Sequence, residues 1–182
     1  VEVAFQGGRI DRVDTMETED GKLYVKVIDY KTGNTSFDLV SLYHGLQLQL
    51  MIYMDGALTV EKNKHRDKEV IPAGVFYYNI KDPMIKEKMD ADMEAVRQKV
   101  LKELKMNGLV QADRELVEKM DSSLVSLPVS FNKDGSFRKN SSVATREQFD
   151  ILNRYVKIKI SHIRKSIMSG DAQVAPYMLG KK

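Results

Sequence analysis

Cysteine is absent from this 182-residue sequence. The chain therefore forms neither a disulfide framework nor a cysteine-ligated zinc or iron–sulfur site within these residues, and a reducing compartment fits best. The sequence also contains no apolar run approaching the ~20 residues that a membrane-spanning helix needs, and no basic-then-apolar leader after Val1. We expect no membrane association. Because the first residue is not Met, we also expect a piece of a longer protein.

A strong charge excess, internal repeats and low-complexity linkers are missing as well. The formal net charge of +3 is too small to indicate a nucleic-acid partner by itself. A hydrophobic content of 42% and a charged content of 30% are typical of a folded globular chain. The length is sufficient for one core and short for two, so we predict a single domain over residues 1–182.

The first half of the chain predicts a hairpin, a helix and a further strand. Asp20-Gly21 favours a tight turn between two strands, because Gly tolerates positive φ. Apolar residues recur every four positions from Leu42 to Met54, which predicts a helix that continues through Gly45. The predicted elements are strands over 2–14 and 22–31, a helix over 39–58 and a strand over 70–80.

The second half predicts two helices separated by a hairpin. Apolar spacing indicates a helix over 85–106, with Gly108 placed to cap its end. Asp134-Gly135 favours the hairpin turn. A capping-box pattern at Thr145 begins the last helix. Its apolar stripe is formed by Leu152, Val156, Ile160, Ile163 and Ile167. This order of elements indicates an α/β or α+β fold.

Two charged residues end the otherwise apolar second strand. Because side chains alternate along a strand, Asp29 and Lys31 point to the same face, and only one of Asp11 and Asp14 on the preceding strand can face Asp29. Two neighbouring carboxylates repel unless a cation lies between them, and hard oxygen ligands of this kind suit Mg²⁺. Acid, acid and lysine together are suited to phosphodiester hydrolysis. The structural alternative is a set of ordinary cross-strand charge pairs.

Polar residues also occur on two predicted helices. Gln49 and Tyr53 are four residues apart, so an amide and a phenol share one helix face and can hydrogen-bond phosphate oxygens; the alternative is the edge of a helix interface. The last helix has no acid between Asp150 and Asp171 and carries several lysines and arginines opposite its apolar stripe. This basic face is either simply solvated or faces a nucleic-acid strand or a partner.

The motifs together resemble a known nuclease family. They are "GRIDRVD" (8–14), "VIDYKTG" (27–33), "LYHGLQLQLMIYMDGAL" (42–58) and "PAGVFYYNIKDP" (72–83). In this combination they are similar to the C-terminal nuclease domain of the AddB family of ATP-dependent helicase/deoxyribonuclease subunits, in the RecB-type branch of the PD-(D/E)xK superfamily. The resemblance implies a restriction-endonuclease-like mixed β-sheet flanked by helices, with core motifs in 7–83 and a C-terminal hairpin and helices in 84–182.

The resemblance also implies roles for individual residues. Asp11 and Asp29 match the family's metal-binding acids, Lys31 matches the catalytic lysine, and the main-chain carbonyl of Tyr30 is a further expected metal ligand. Asp14 lies in the same motif but on the opposite strand face from Asp11, so we rank it below Asp11.

Two further residues match the Gln-x-x-x-Tyr motif of this nuclease branch. They are Gln49 and Tyr53, which the resemblance places against the site and the DNA strand.

The implied cofactor is Mg²⁺, with Mn²⁺ as a possible substitute. The family's 4Fe-4S cluster and its first helix are expected outside this sequence, so we expect a domain truncated at both ends. The implied partners are single-stranded DNA and the AddA helicase-nuclease subunit, in the bacterial cytoplasm, during double-strand-break processing and recombinational repair. Two alternatives are a catalytically inactive DNA-binding or scaffold module of the same fold and a Cas4-like exonuclease.

Overall fold

The computed structural model describes residues 9–80, 93–171 and 173 of the chain. The helices and strands are β1 Arg12–Glu17, β2 Lys22–Lys31, α1 Leu39–Tyr43, α2 Gln49–Lys64, β3 Glu69–Asn79, α3 Met93–Glu103, β4 Asn107–Gln111, α4 Arg114–Met120, β5 Val143–Ala144 and α5 Arg146–Met168. Among the described helices, none is long and apolar enough to cross a membrane.

The strands form one mixed sheet in the order β1-β2-β3-β4-β5. β2 pairs with β1 antiparallel and with β3 parallel, and β4 pairs antiparallel with β3 and parallel with β5. The alternating side chains of the central strands divide the apolar core between the two faces of the sheet. On one face Val25 and Val27 pack with α2 and α5, and on the other Ile28 packs with α4. The predicted mixed sheet flanked by helices is confirmed.

The first hairpin and the third strand agree with the sequence prediction, except at their ends. Gly21 has a φ of 78° and closes the turn between β1 and β2. The strand predicted over 2–14 is wrong in its bounds: β1 begins at Arg12 and extends to Glu17, and residues 2–8 lie outside the described part of the chain.

The single helix predicted over 39–58 is wrong, because the chain breaks into α1 and α2. Gly45 adopts a φ of 85°, and its amide and that of Leu46 donate to carbonyls of α1, which ends the helix. Leu42 and Leu50 are buried on either side of the break, whereas Leu46 is exposed. The four-residue spacing therefore came from two separate helices that both face the core.

The helix predicted over 85–106 ends three residues earlier in the structure, at Glu103. Its described part is α3, while residues 81–92 lie outside the described residues, and Met93 of the predicted apolar stripe is exposed. Gly108 does not cap it but lies within β4. A Cβ at Gly108 would lie 1.9 Å from the Val75 carbonyl oxygen, so the glycine allows β4 to approach β3.

The C-terminal part contains elements that the sequence did not predict, namely β4, α4 and β5. The hairpin at Asp134-Gly135 is confirmed as a single bridge between Phe131 and Phe137, with Gly135 at a φ of 83°. The capping box of Thr145 and Gln148 is present at the start of α5.

The apolar stripe of α5 is buried only over its first half. Val156 is buried and Leu152 and Ile160 pack against the core, but Ile163 and Ile167 are exposed.

Candidate active site

Asp29 lies near the carboxyl end of β2 and is only 3% exposed. Lys31, two residues later on the same face, places its Nζ 2.5 Å from Asp29 Oδ2. A buried carboxylate is costly unless a cation compensates it, and the Lys31 ammonium lies at the right distance to do so. The predicted acid and lysine therefore form a direct ion pair at the carboxyl end of β2.

The Asp29 carboxylate retains unused acceptor capacity. Its Oδ2 is buried and receives no hydrogen bond of good geometry from any described group, so the contact with Lys31 is ionic. An ionised carboxylate offers about four acceptor positions on its two oxygens. Asp29 is thus able to accept a further cationic partner.

Gln49 and Tyr53 complete a connected polar network with Lys31. Lys31 Nζ donates to Gln49 Oε1 at 2.8 Å, and Gln49 Nε2 donates to the Tyr53 hydroxyl at 2.9 Å. Because α2 begins at Gln49, the amide stands at the helix end nearest the strand, and Tyr53 follows one turn later on the same face. The predicted polar face of the helix therefore contacts the predicted charged end of the strand through Gln49 and Lys31.

Asp11 lies beside the same part of β2. Its Oδ2 accepts a hydrogen bond of 3.0 Å from the Tyr30 main-chain amide. The β1–β2 register is regular, with Arg12 opposite Ile28, so the residue before Arg12 comes alongside Asp29. The described contact between Tyr30 and Asp11 therefore uses the Tyr30 main-chain amide and not its carbonyl.

Asp14 lies on the other face of the sheet, as the alternation predicts. It pairs with Arg12 at 2.7 Å and with Lys26 at 2.9 Å. Partial burial would raise the pKa of Asp14, but hydrogen bonds from both cations outweigh it, and the pKa is lowered. Asp14 is therefore occupied in a surface charge cluster away from Asp29.

The sequence did not single out Tyr77, which lies next to both charged groups. Tyr77 is paired with Asp29 in the β2–β3 register, and its ring centroid is 5.4 Å from Lys31 Nζ. A cation over a buried aromatic face is stabilised by about 2 kcal/mol. Burial, and after it the negative charge of Asp29, raise the pKa of Tyr77 to about 12. Its position would follow from the sequence only if the strand register were known.

Side-chain amides hold the loop that follows Lys31. Asn79 accepts a hydrogen bond from the Thr35 amide at 3.1 Å and donates to the Thr35 carbonyl at 3.0 Å. Gln47 accepts from the Asp38 amide at 2.9 Å and donates to the Ser36 carbonyl at 2.8 Å. These bonds fix the path of the chain between the strand that carries Lys31 and the helix that carries Gln49.

The donor set fits a magnesium ion better than a soft transition metal. Two carboxylates, with a main-chain carbonyl at Tyr30 as a further oxygen, match the few protein ligands that Mg²⁺ takes when waters and phosphate oxygens supply the rest. Within residues 9–80, 93–171 and 173, no group of three or more His, Asp or Glu side chains is placed to hold a metal. An iron–sulfur cluster does not fit, because the sequence has no cysteine.

Comparison with known protein families matches residues 1–177 to the PD-(D/E)XK nuclease superfamily. The chain belongs to this superfamily. This membership agrees with the mixed sheet flanked by helices, which is the fold expected of a nuclease of this superfamily.

Curated relatives of this nuclease-superfamily chain share a name, that of the B subunit of an ATP-dependent helicase/deoxyribonuclease. The chain is 44% identical over 93% of its length to the relative from Lachnoclostridium phytofermentans, 38% over 96% to that from Thermoanaerobacter sp. (strain X514), and 40% over 93% to that from Clostridioides difficile. The predicted resemblance is confirmed. The chain spans about 15% of the length of each of these relatives.

Proposed function

We propose that this chain is a divalent-metal-dependent deoxyribonuclease domain that hydrolyses phosphodiester bonds in single-stranded DNA. The observation that carries the proposal is the Lys31 ammonium, which contacts Asp29 at 2.5 Å and Gln49 at 2.8 Å. This contact joins an acid, a lysine, an amide and a phenol into one network. These are the group types that bind phosphate oxygens and compensate their charge.

Asp11, Asp29 and the Tyr30 main-chain carbonyl would hold Mg²⁺ or Mn²⁺ in the proposed mechanism. When bound, the metal supplies Lewis-acid stabilisation of the negative charge on the phosphate and increases the acidity of water. The buried Oδ2 of Asp29, which lacks a hydrogen-bond donor among the described groups, supports this use.

Lys31 would stabilise the negative charge that develops on the phosphate as water attacks phosphorus and the P–O bond breaks. Its donor bond to Gln49 Oε1 fixes its direction, and the ring of Tyr77 supports it from the strand alongside. Gln49 and Tyr53 would hold the DNA strand by hydrogen bonds to phosphate oxygens.

The biological setting is also a proposal. The curated relatives carry the name of the B subunit of an ATP-dependent helicase/deoxyribonuclease. We infer that the protein containing this chain pairs with an AddA helicase-nuclease subunit in the bacterial cytoplasm. There it would degrade single strands during double-strand-break processing and recombinational repair.

A cleavage assay tests the proposed chemistry. Labelled single-stranded DNA is incubated with the protein and Mg²⁺ or Mn²⁺, beside the Asp29→Ala and Lys31→Ala variants. We expect each substitution to lower the cleavage rate by roughly 10²- to 10³-fold, as is usual for a group that stabilises transition-state charge. Asp14→Asn, on the opposite sheet face, is the matched control and should retain nearly full activity. Metal-dependent cutting that survives both site substitutions would remove Asp29 and Lys31 from the mechanism.

The second candidate is a binding or scaffold module without catalysis. It is favoured by one observation, namely that the described residues contain no group of three His, Asp or Glu side chains around Asp29. Calorimetric titration with Mg²⁺ and Mn²⁺ separates the candidates. Heat of binding that disappears in Asp29→Ala supports the nuclease, and no uptake by the wild-type protein supports the scaffold.

A further inference from the structure

Two tyrosines from different helices stack on the protein surface. The rings of Tyr43, at the end of α1, and Tyr155, in α5, have centroids 5.6 Å apart and are inclined by only 10°. The Tyr155 hydroxyl donates to the Tyr43 carbonyl at 2.5 Å, which fixes the relative position of the two helices. Tyr43 is nevertheless 60% exposed. A large aromatic ring is therefore held rigidly in solvent.

A short stretch of chain connects this tyrosine pair to the candidate active site. Residues 44–48 run from Tyr43 to Gln49, the residue that binds Lys31. Lys159 lies one turn after Tyr155 on α5, and its Cε would be 3.2 Å from a Cβ at Gly45, so its aliphatic arm rests on this stretch. The Lys159 side chain thus contacts the segment that links the stacked rings to the candidate site.

The stretch of α5 that carries Tyr155 and Lys159 has charged side chains of one sign. Between Asp150 and Asp171 the sequence of α5 contains no acid. Lys157 is compensated by Asp55 of α2 at 2.7 Å. The other cations of this stretch are Arg154, Lys159, Arg164 and Lys165. This stretch of α5 therefore carries the excess of positive charge that binding of a polyanion requires.

We propose that Tyr43, Tyr155 and Lys159 form a platform for single-stranded DNA, on which a base stacks against Tyr43 while the backbone follows the cations of α5 toward Gln49. The path of the DNA strand toward Gln49 rests on the proposed function. Sequence-tolerant binding of single strands commonly combines aromatic stacking with a positively charged track. The exposed Ile151 and Ile158 lie nearby on α5 and would suit a protein partner, but stacked tyrosines with lysine and arginine favour the nucleic acid.

Binding without cleavage tests the platform. The fluorescence anisotropy of labelled oligo(dT) is measured with EDTA present, so that affinity is independent of any metal-dependent cutting. We expect Tyr43→Ala to weaken binding by roughly 5- to 150-fold, the usual effect of removing one base–aromatic stack. Tyr43→Phe keeps the ring and should bind as the wild type does. Lys159→Glu should also weaken binding, whereas Lys62→Glu, an equal charge change at an exposed position of α2, should not.

The outcomes separate this inference from the proposed function. Affinities of Tyr43→Ala and Lys159→Glu equal to that of the wild type would overturn the platform and assign the surface to a protein contact, even if the wild type cuts DNA normally. Failure of the wild type to bind oligo(dT) would overturn it as well. Tyr43-dependent binding by a protein that never cuts DNA supports the platform and contradicts the nuclease proposal alone. Thermal unfolding of each variant confirms that it is folded.

Discussion

Tyr77 lies beside both charged groups of the candidate site, with its ring against the Lys31 ammonium and Asp29 as its register partner on β2. Its phenol is shielded from water, which disfavours the charged form. Ionisation would also place a second negative charge close to Asp29. This is why burial and Asp29 together raise the pKa of Tyr77 to about 12. Tyr77 is therefore neutral beside Lys31 over the whole physiological range, and it stays neutral to a higher pH than an exposed tyrosine does.

The raised pKa of Tyr77 predicts a loss of stability at alkaline pH. An acidic group whose pKa is higher in the folded state stabilises the protein fully below its unfolded value, here 10.0, and loses that contribution as the pH rises toward about 12. The shift corresponds to at most about 3 kcal/mol in the free energy of unfolding. Urea unfolding at a series of pH values should show this extra loss in the wild type and not in Tyr77→Phe. Parallel curves for the two proteins would show that the phenol is not shielded.

At the scale of single elements, three glycines differ in what surrounds them. Gly45 has a positive φ, Gly108 has the Val75 carbonyl within 1.9 Å of its missing Cβ, and Gly56 in α2 has nothing within 4 Å. The first ends a helix, the second lets two strands approach, and the third has no structural need to be glycine. The same substitution should therefore change stability in opposite directions.

Alanine at these three glycines gives a graded prediction for denaturant unfolding. Gly108→Ala should destabilise by about 3 kcal/mol or more, because β4 must move away from β3. Gly45→Ala should cost about 1–2 kcal/mol, the penalty of a left-handed backbone for a residue with a Cβ. Gly56→Ala should stabilise by about 0.5–1 kcal/mol. A neutral effect of Gly108→Ala would mean that the β3–β4 spacing is not set by this residue.

Elements defined by local chemistry were predictable from the sequence, and those defined by tertiary packing were not. Asp20-Gly21 and the capping box of Thr145 form through neighbours in sequence, so their signals are complete within a few residues. Gly108, by contrast, acquires its role only from the strand beside it, because the Val75 carbonyl lies where its Cβ would be. The short β5 has too few residues for any periodicity.

The candidate site shows the same division. Strand alternation was sufficient to separate Asp11 from Asp14, and helical spacing to join Gln49 to Tyr53. The contact of Lys31 with Gln49 depends on where α2 begins, which the sequence misplaced. Tyr77 depends on a parallel register between distant strands. The metal-binding and catalytic roles of these residues stay predictions.

Across the whole molecule, α5 changes from a core helix to a surface helix along its length. Phe149 near its start is 2% exposed and packs in the core with α2, whereas Ile167 near its end is 70% exposed. Asn153 and Lys157 both bind Asp55 of α2, which fixes the packed half in place. The first half of α5 therefore belongs to the core of the protein, and the second half extends beyond it.

This gradient predicts unequal costs for two truncations on α5. Phe149→Ala should lower the free energy of unfolding by about 3–5 kcal/mol, since it leaves a cavity in the core. Ile167→Ala should change it by less than about 0.5 kcal/mol. Equilibrium denaturation of both variants measures the difference. Comparable losses would show that the end of α5 is covered by another part of the protein in solution.

The parallel pairing of β2 with β3 also bears on how the protein folds. Val27 lies opposite Val75, and the chain between them contains α1 and α2. Pairings between residues far apart in sequence are late and slow, because the entropy of closing the intervening loop is lost before the contact is made. We expect Asp29 to gain Tyr77 as its neighbour only at that step, since the two residues are partners in this pairing. The nascent chain therefore carries the two charged residues long before it carries an assembled site.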